Sequence, residues 1–399
     1  MTQHNINWKQ LAAAFTSVLT LSSALPYSLG ELAIIIPPKF KGEVADSTSI
    51  TRCANLQTMR TNIWTDGICS TYETNRLAKR CRRVHCVMRS MQHIGPSSRT
   101  SHGLTYDGER KRVVLFGGDP GGPPFADTWS WDGALWTQVV DTGPSARHGL
   151  AMAFDSARKC IVLFGGASGS NLLADTWTWD GTEWTQVADT GPAARSRHAL
   201  TYDDARERVV LFGGRTAANP LGDTWEWDGT EWTQVQDVGP SARCAHAMAF
   251  NVLPDGSGAR IVLFGGAGAN GAGLNDTWLW AGTVWTQAAD TGPDPRAASA
   301  MVAATTTVVL FGGVNSIDPS FPSANRIIYG DSWRWSGTAW TEVQDIGPAP
   351  RWGHGMAFRK IGAAVGRVVL VGGSSVFGPA QDASLQAGVM RDTWEAPEN

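Results

Sequence analysis

The stretch Cys160-Ile-Val-Leu-Phe-Gly-Gly166, answered after eight further residues by Asp175-Thr-Trp-Thr-Trp179, decides the fold. Residues 161–164 are apolar without alternation, as in a strand buried on both faces. The double glycine ends that strand where φ must turn positive or backbones approach closely. Trp177 and Trp179 stand two apart, on one face of the next strand. Asp180-Gly181 is a hairpin turn, and 184–187 is another strand. With 150–154 ahead of the block, residues 147–187 read as four short strands, A to D.

The block recurs. Double glycines open at Gly117, Gly165, Gly213, Gly265, Gly312 and Gly372, spaced 48, 48, 52, 47 and 60 residues apart. Each is followed by Asp-Thr-Trp or Asp-Ser-Trp, opened by Asp127, Asp175, Asp223, Asp276, Asp331 and Asp392. Five copies continue to a third tryptophan: Trp136, Trp184, Trp232, Trp285 and Trp340. One such unit cannot bury its aromatic face alone, so the units must stack around an axis.

In its diglycine, its spaced aromatic residues and an Arg-x-x-His lead-in to strand A, the chain resembles the kelch-repeat β-propeller family, including the central domain of galactose oxidase. The resemblance covers 86–399. It implies an all-β fold, a six-bladed propeller of four-stranded antiparallel blades. The sixth copy stops after strand C, since only five residues follow Trp394. Met88 precedes Pro96 by eight residues, as Trp136 precedes Pro144. Residues 88–92 are therefore expected to supply the missing D strand, so that an N-terminal strand closes the last blade and removes an open edge.

Composition changes near residue 95. The first 94 residues hold 3 glycines and a net charge of +6; the remaining 305 hold 42 glycines and a net charge of −9. Residues 1–85 read as a poorly ordered extension. Its 11–25 stretch is modestly apolar after Lys9, too short to span a membrane and compatible with a weak signal peptide, so extracytoplasmic and cytoplasmic placement stand side by side. Cys53, Cys69, Cys81 and Cys86 match no zinc spacing and read as ordinary thiols. A further reading makes the region upstream sequence carried into the frame. The basic run 76–89 lacks aromatic interleaving and reads as a solvated tail, so no nucleic-acid partner is expected. The propeller uses 19 arginines against 3 lysines, a bias that suggests a GC-rich bacterial genome.

Strand order puts the D–A and B–C loops on one face. The D–A loops end in Arg99, Arg147, Arg195, Arg243, Arg296 and Arg351. Three residues on stand His102, Leu150, His198, His246, Ser299 and His354. One reading is a ring of guanidinium groups at the channel mouth, an anion receptor; in adaptor proteins of the resembled family, arginines at this position contact acidic peptides. The architectural reading pairs each arginine with a loop aspartate (Asp141, Asp189, Asp237, Asp290 or Asp345). The B–C loops of copies 5 and 6 run to 17 and 18 residues, against eight or nine elsewhere, and carry Phe321, Tyr329 and Phe377. Long loops on a rigid scaffold are common binding elements. Arg215, just past a diglycine, and Trp352, outside the repeat pattern, complete the candidate ligand-binding set.

The expected function is a monomeric, non-enzymatic binding module that presents this face to a protein or an acidic carbohydrate, with no cofactor, metal or membrane span. A copper site like that of galactose oxidase requires a cysteine bonded to a tyrosine, and Cys160 and Cys244 have no matching partner pattern among Tyr106, Tyr202 and Tyr329. The alternative is a carbohydrate-active enzyme of the sugar-acid mutarotase kind, which the resemblance also allows.

Overall fold

The computed structural model describes residues 32–35, 87–90 and 95–397, apart from 141, 237, 254–257, 306, 344–346, 363–365 and 377–388. The chain divides into two compact units, Met1–Ile94 and Gly95–Asn399. In the first, strands Leu32–Ile35 and Val87–Ser90 pair antiparallel, with Ile34 opposite Met88.

The second unit is an all-β propeller of six blades. Five blades have four antiparallel strands in the order A-B-C-D. Their A strands are Gly103–Asp107, Ala151–Asp155, Ala199–Asp203, Ala247–Leu253 and Ala300–Ala303. The sixth blade has three described strands, Gly355–Lys360, Gly366–Val371 and Thr393–Pro397. Each A strand touches the A strand of the next blade, and the sixth touches the first, so these strands line the central channel. The B strands form the dry layer: Val113, Leu115, Ile161, Leu163, Val209 and Leu211 have no exposed surface. At about 25 cal/mol per Å², burial of such residues is the main favourable term in each blade.

In blades 2 to 5 the second of the two strand-C tryptophans lies deeper; in the first blade Trp129 and Trp131 are buried alike, at 7% and 8%. Trp179, Trp227, Trp280 and Trp335 are fully buried, while Trp177, Trp225, Trp278 and Trp333 are half-buried. Each D-strand tryptophan then links two blades. Trp184 Nε1 donates to Thr128 Oγ1 of the blade before it at 2.9 Å, and Trp232 does the same to Thr176 at 2.9 Å. Their rings meet Phe116 and Phe164 of that preceding blade edge-on, at 5.4 and 5.3 Å.

Closure differs from the sequence expectation. Among the described residues Val87–Ser90 pairs with Leu32–Ile35, and the strand that holds Trp394 pairs with Gly366–Val371. The reason is general: a strand edge accepts any backbone that presents donors and acceptors in register, and residue order does not select among partners. The sixth and first blades join through other contacts. Trp136 Nε1 donates to Thr393 Oγ1 at 2.9 Å, Tyr106 Oη to the Lys360 carbonyl at 3.1 Å, and Arg359 to the Asp132 carbonyl at 3.1 Å.

A closed ring of backbone hydrogen bonds completes the seam. The residue two past each lead-in arginine lies in the left-handed region: Ser101, Gly149, Arg197, Ala245, Ala298 and Gly353, with φ between 53° and 64°. Each donates its N–H to the matching carbonyl of the preceding blade. The bonds run Gly149 to Ser101, Arg197 to Gly149, Ala245 to Arg197, Ala298 to Ala245, Gly353 to Ala298 and Ser101 to Gly353, at 2.7–2.9 Å. The last of these joins the first blade to the sixth.

Candidate functional site

The six lead-in arginines do not form a receptor ring. Arg99, Arg147, Arg195, Arg243, Arg296 and Arg351 are all at most 1% exposed. Each forks onto the aspartate that opens strand C of its own blade. Arg195 reaches Asp223 at 2.6 and 2.7 Å, donates to the Gly213 carbonyl at 2.9 Å, and bonds the Ala193 carbonyl through Nε at 2.9 Å. The same aspartate accepts Trp225 Nε1 at 2.7 Å. The other five copies repeat the arrangement. Burial works to raise the pKa of these aspartates, and the arginine and tryptophan hydrogen bonds outweigh it, so the net shift is down. The partner is thus the strand-C aspartate and not the D–A loop aspartate proposed from sequence. A satisfied, buried bidentate pair has no free donor for a ligand.

This clamp also explains the diglycine. At Gly165 (φ +62°) an added Cβ would come within 2.9 Å of the Arg195 carbonyl, and at Gly166 (φ +101°) within 3.0 Å of the His148 carbonyl. The next blade's lead-in crosses there, while the Gly165 carbonyl accepts Arg147 at 3.0 Å.

The histidines do come together. His102, His198, His246 and His354, with Leu150 and Ser299, line an axial cavity of about 130 Å³. The four imidazoles are 5–7% exposed. Burial, followed by the charge of the neighbouring lead-in arginine, pushes each of their pKa values down to about 3. They are neutral at physiological pH and offer one donor and one acceptor each. Neither nitrogen of His102 meets a hydrogen-bond partner in the described residues, nor does Ser299 Oγ.

Trp352 joins this lining, its Nε1 held by the Val376 carbonyl at 2.8 Å, and so does Ile317 from the long loop of the fifth blade. Arg215 is not part of this lining; its Nε donates to the Thr216 carbonyl at 3.4 Å, and its charge acts on Arg197. Tyr329 and Phe321 stay outside it. Tyr329 covers the Arg296 guanidinium at 3.8 Å, and Phe321 packs on Arg326, which organises its own loop by bonding the Ser316, Asp318 and Phe321 carbonyls. Phe377 lies outside the described residues.

Sequence reasoning missed Arg197. It lines the cavity in a column otherwise occupied by Ser, Gly and Ala, and that mismatch was its only signal. Among the described residues its side chain makes no ion pair; Arg215, Cys244 and Asp119 surround it electrostatically. Burial is the main cause of a lowered pKa there, and Arg215 adds to it. Arg197 is half-buried, and a partly desolvated guanidinium gains when an anion arrives. The pKa of His148 is also lowered, mainly by burial, with Asp119 opposing the shift and Arg197 adding to it.

The KLHDC2/KLHL20/DRC7 Kelch-repeats domain family matches residues 71–250, ending in the first strand of the fourth blade. Among solved structures, the structure of YjhT matches with a TM-score of 0.56 and 12% identity, covering 76% of this chain and 98% of that one. None of the curated proteins matches the sequence. No described helix is long and apolar enough to cross a membrane.

Proposed function

We propose that this chain, a kelch-repeat β-propeller, is a non-enzymatic binding module whose loop face receives a carboxylate-bearing segment of a protein partner. One observation carries the reading: Arg197, half-buried, makes no ion pair among the described residues and lines a cavity walled by neutral histidines. About 130 Å³ accommodates a chain terminus or an acidic side-chain head. Imidazole donors and the Ser299 hydroxyl would complete the cradle around it. The long fifth-blade loop, with Ile327 53% exposed, supplies apolar surface beside the mouth for the rest of the partner. Histidines with pKa values near 3 are poorly matched to acid–base turnover at neutral pH, which favours binding over the mutarotase alternative.

The test is a titration of acidic peptides and sugar acids against wild type and Arg197→Ala. Peptide affinity should fall about tenfold or more in the variant, the worth of a charge-assisted bidentate contact, and should weaken with salt in the wild type. Equal binding by both proteins would remove Arg197 as the receptor. Anomer interconversion of a sugar acid, followed by NMR, would transfer the reading to an enzyme.

A further inference from the structure

The opposite end of the channel holds a larger cavity of about 1020 Å³, lined by the A strands and their turns into strand B. Its lining follows the strand period. Two residues beyond the histidine layer, on the same strand face, comes a layer with four methionines: Met152, Met248, Met301 and Met356. Two residues further stands an aromatic layer: Tyr106, Phe154, Tyr202, Phe250 and Phe358. The sixth position of that layer is Ala303, which leaves one side of the wall open. The apolar depth then gives way to a rim. Val252 and Ile361 stand there 62% and 52% exposed.

The rim has a charge sign. The propeller has three lysines, Lys111, Lys159 and Lys360. Lys111 and Lys360 line this mouth from the first and sixth blades, which are neighbours, and neither makes an ion pair among the described residues. Of the two acids at the rim, Glu109 pairs with Lys159 at 3.1 Å, and Asp204, which accepts the Ser156 hydroxyl at 2.5 Å, belongs to the third blade and not to the first or sixth that carry the two lysines.

From this gradient we infer that the wide mouth is a second binding site, for an anionic amphiphile with a linear acyl chain. The chain would run down the axis onto the thioether floor, alongside the gap at Ala303, and the carboxylate would rest between Lys111 and Lys360. Thioethers are polarizable and re-pack around an irregular apolar guest, and aromatic walls exclude water from it. The site stands apart from the Arg197 cavity, because the methionine layer follows the histidine layer along every strand that carries them.

The experiment measures binding of oleate, below its micelle-forming concentration, and of its neutral methyl ester to the full chain. Wild type should bind oleate saturably. The double variant Lys111→Glu with Lys360→Glu, at exposed positions that leave the fold alone, should weaken oleate at least tenfold and leave the ester unchanged. Ala303→Trp, which fills the gap, should weaken both ligands, with circular dichroism checking that it folds; if it does not fold, the lysine pair alone decides. Arg197→Ala should leave oleate binding intact. Absence of saturable binding, equal loss of oleate and ester in the lysine variant, or loss of oleate in Arg197→Ala would each overturn the assignment.

Discussion

Blades 1 to 4 and blades 5 and 6 are spelled from one repeat, and the first group keeps closer to it, with single departures at Leu150 and Arg197. Blades 1 to 4 carry short B–C loops, four strands and a bulky residue at the aromatic layer of the channel. The fifth puts Ala303 in that layer and Ser299 among the histidines, and it extends its B–C loop over Gly271 of the fourth blade, whose carbonyl accepts the Ile317 N–H at 2.9 Å. The sixth has three strands among the described residues, and its clamp aspartate, Asp392, is 39% exposed against 19–24% in the others. The differences of the fifth and sixth blades fall on both faces of one sector, while Leu150 and Arg197 depart singly in the second and third blades. Repetition therefore reports what a blade needs in order to stand, and departures from it mark where something besides standing has been selected. The buried arginines belong to the first kind and Arg197 to the second.

That contrast can be broken by mutation. The largest effect should come from the clamp. Arg195→Ala strands Asp223 and should cost about 3–5 kcal/mol, the usual loss when one partner of a buried pair is removed. Arg351→Ala should cost clearly less, because water reaches Asp392. Chemical denaturation of both variants checks this; equal losses would show that the sixth blade is as rigid as the third.

Next comes the aromatic core. Trp227→Ala empties a site only 1% exposed and should destabilise by about 3–5 kcal/mol. Trp394→Ala removes a ring that is 44% exposed and one hydrogen bond to Asp392, worth about 1 kcal/mol. Thermal melts that ranked the two in the opposite order would contradict the exposure of Trp394 in the sixth blade.

The smallest effect concerns pH. Each channel histidine has a folded pKa near 3, below the unfolded value of about 6.5. The unfolded chain takes up protons first on acidification. The contribution is therefore complete above about pH 6.5 and is lost as pH falls toward 3. The clamp aspartates, also shifted down, add to the loss in the lower part of that window. Replacing His198 with leucine, which Leu150 shows the second blade already tolerates at this position, should flatten the slope of melting temperature against pH between 6.5 and 4. An unchanged slope would mean that His198 is protonated in the folded state.

The blades were legible because their signals are local: glycine pairs, period-two tryptophans and turn dipeptides lie within fifty residues of each other. The histidine layer was legible for the same reason. The fate of the arginines was harder to read, although the clue was present. Asp-Thr/Ser-Trp occurs in all six copies, as the arginine does, whereas the D–A aspartate occurs in five. Matching by number, instead of by nearness along the chain, selects the true partner 28 to 41 residues away. Closure was not legible. Which edge a short strand joins depends on backbone contacts that leave no mark in side-chain pattern, and the ring of left-handed residues depends on φ at Ser, Ala and Arg as much as at Gly.

That ring of six backbone bonds has one more implication. Its donors all point the same way round, and the bond from Ser101 to Gly353 is chemically the same as the other five. Geometrically the hoop has no first link. The order in which the ribosome delivers the blades is therefore a property of the gene and not of the closed structure, and a circularly permuted chain, opened between any two blades and joined across the present seam, would present the same six donors to the same six acceptors.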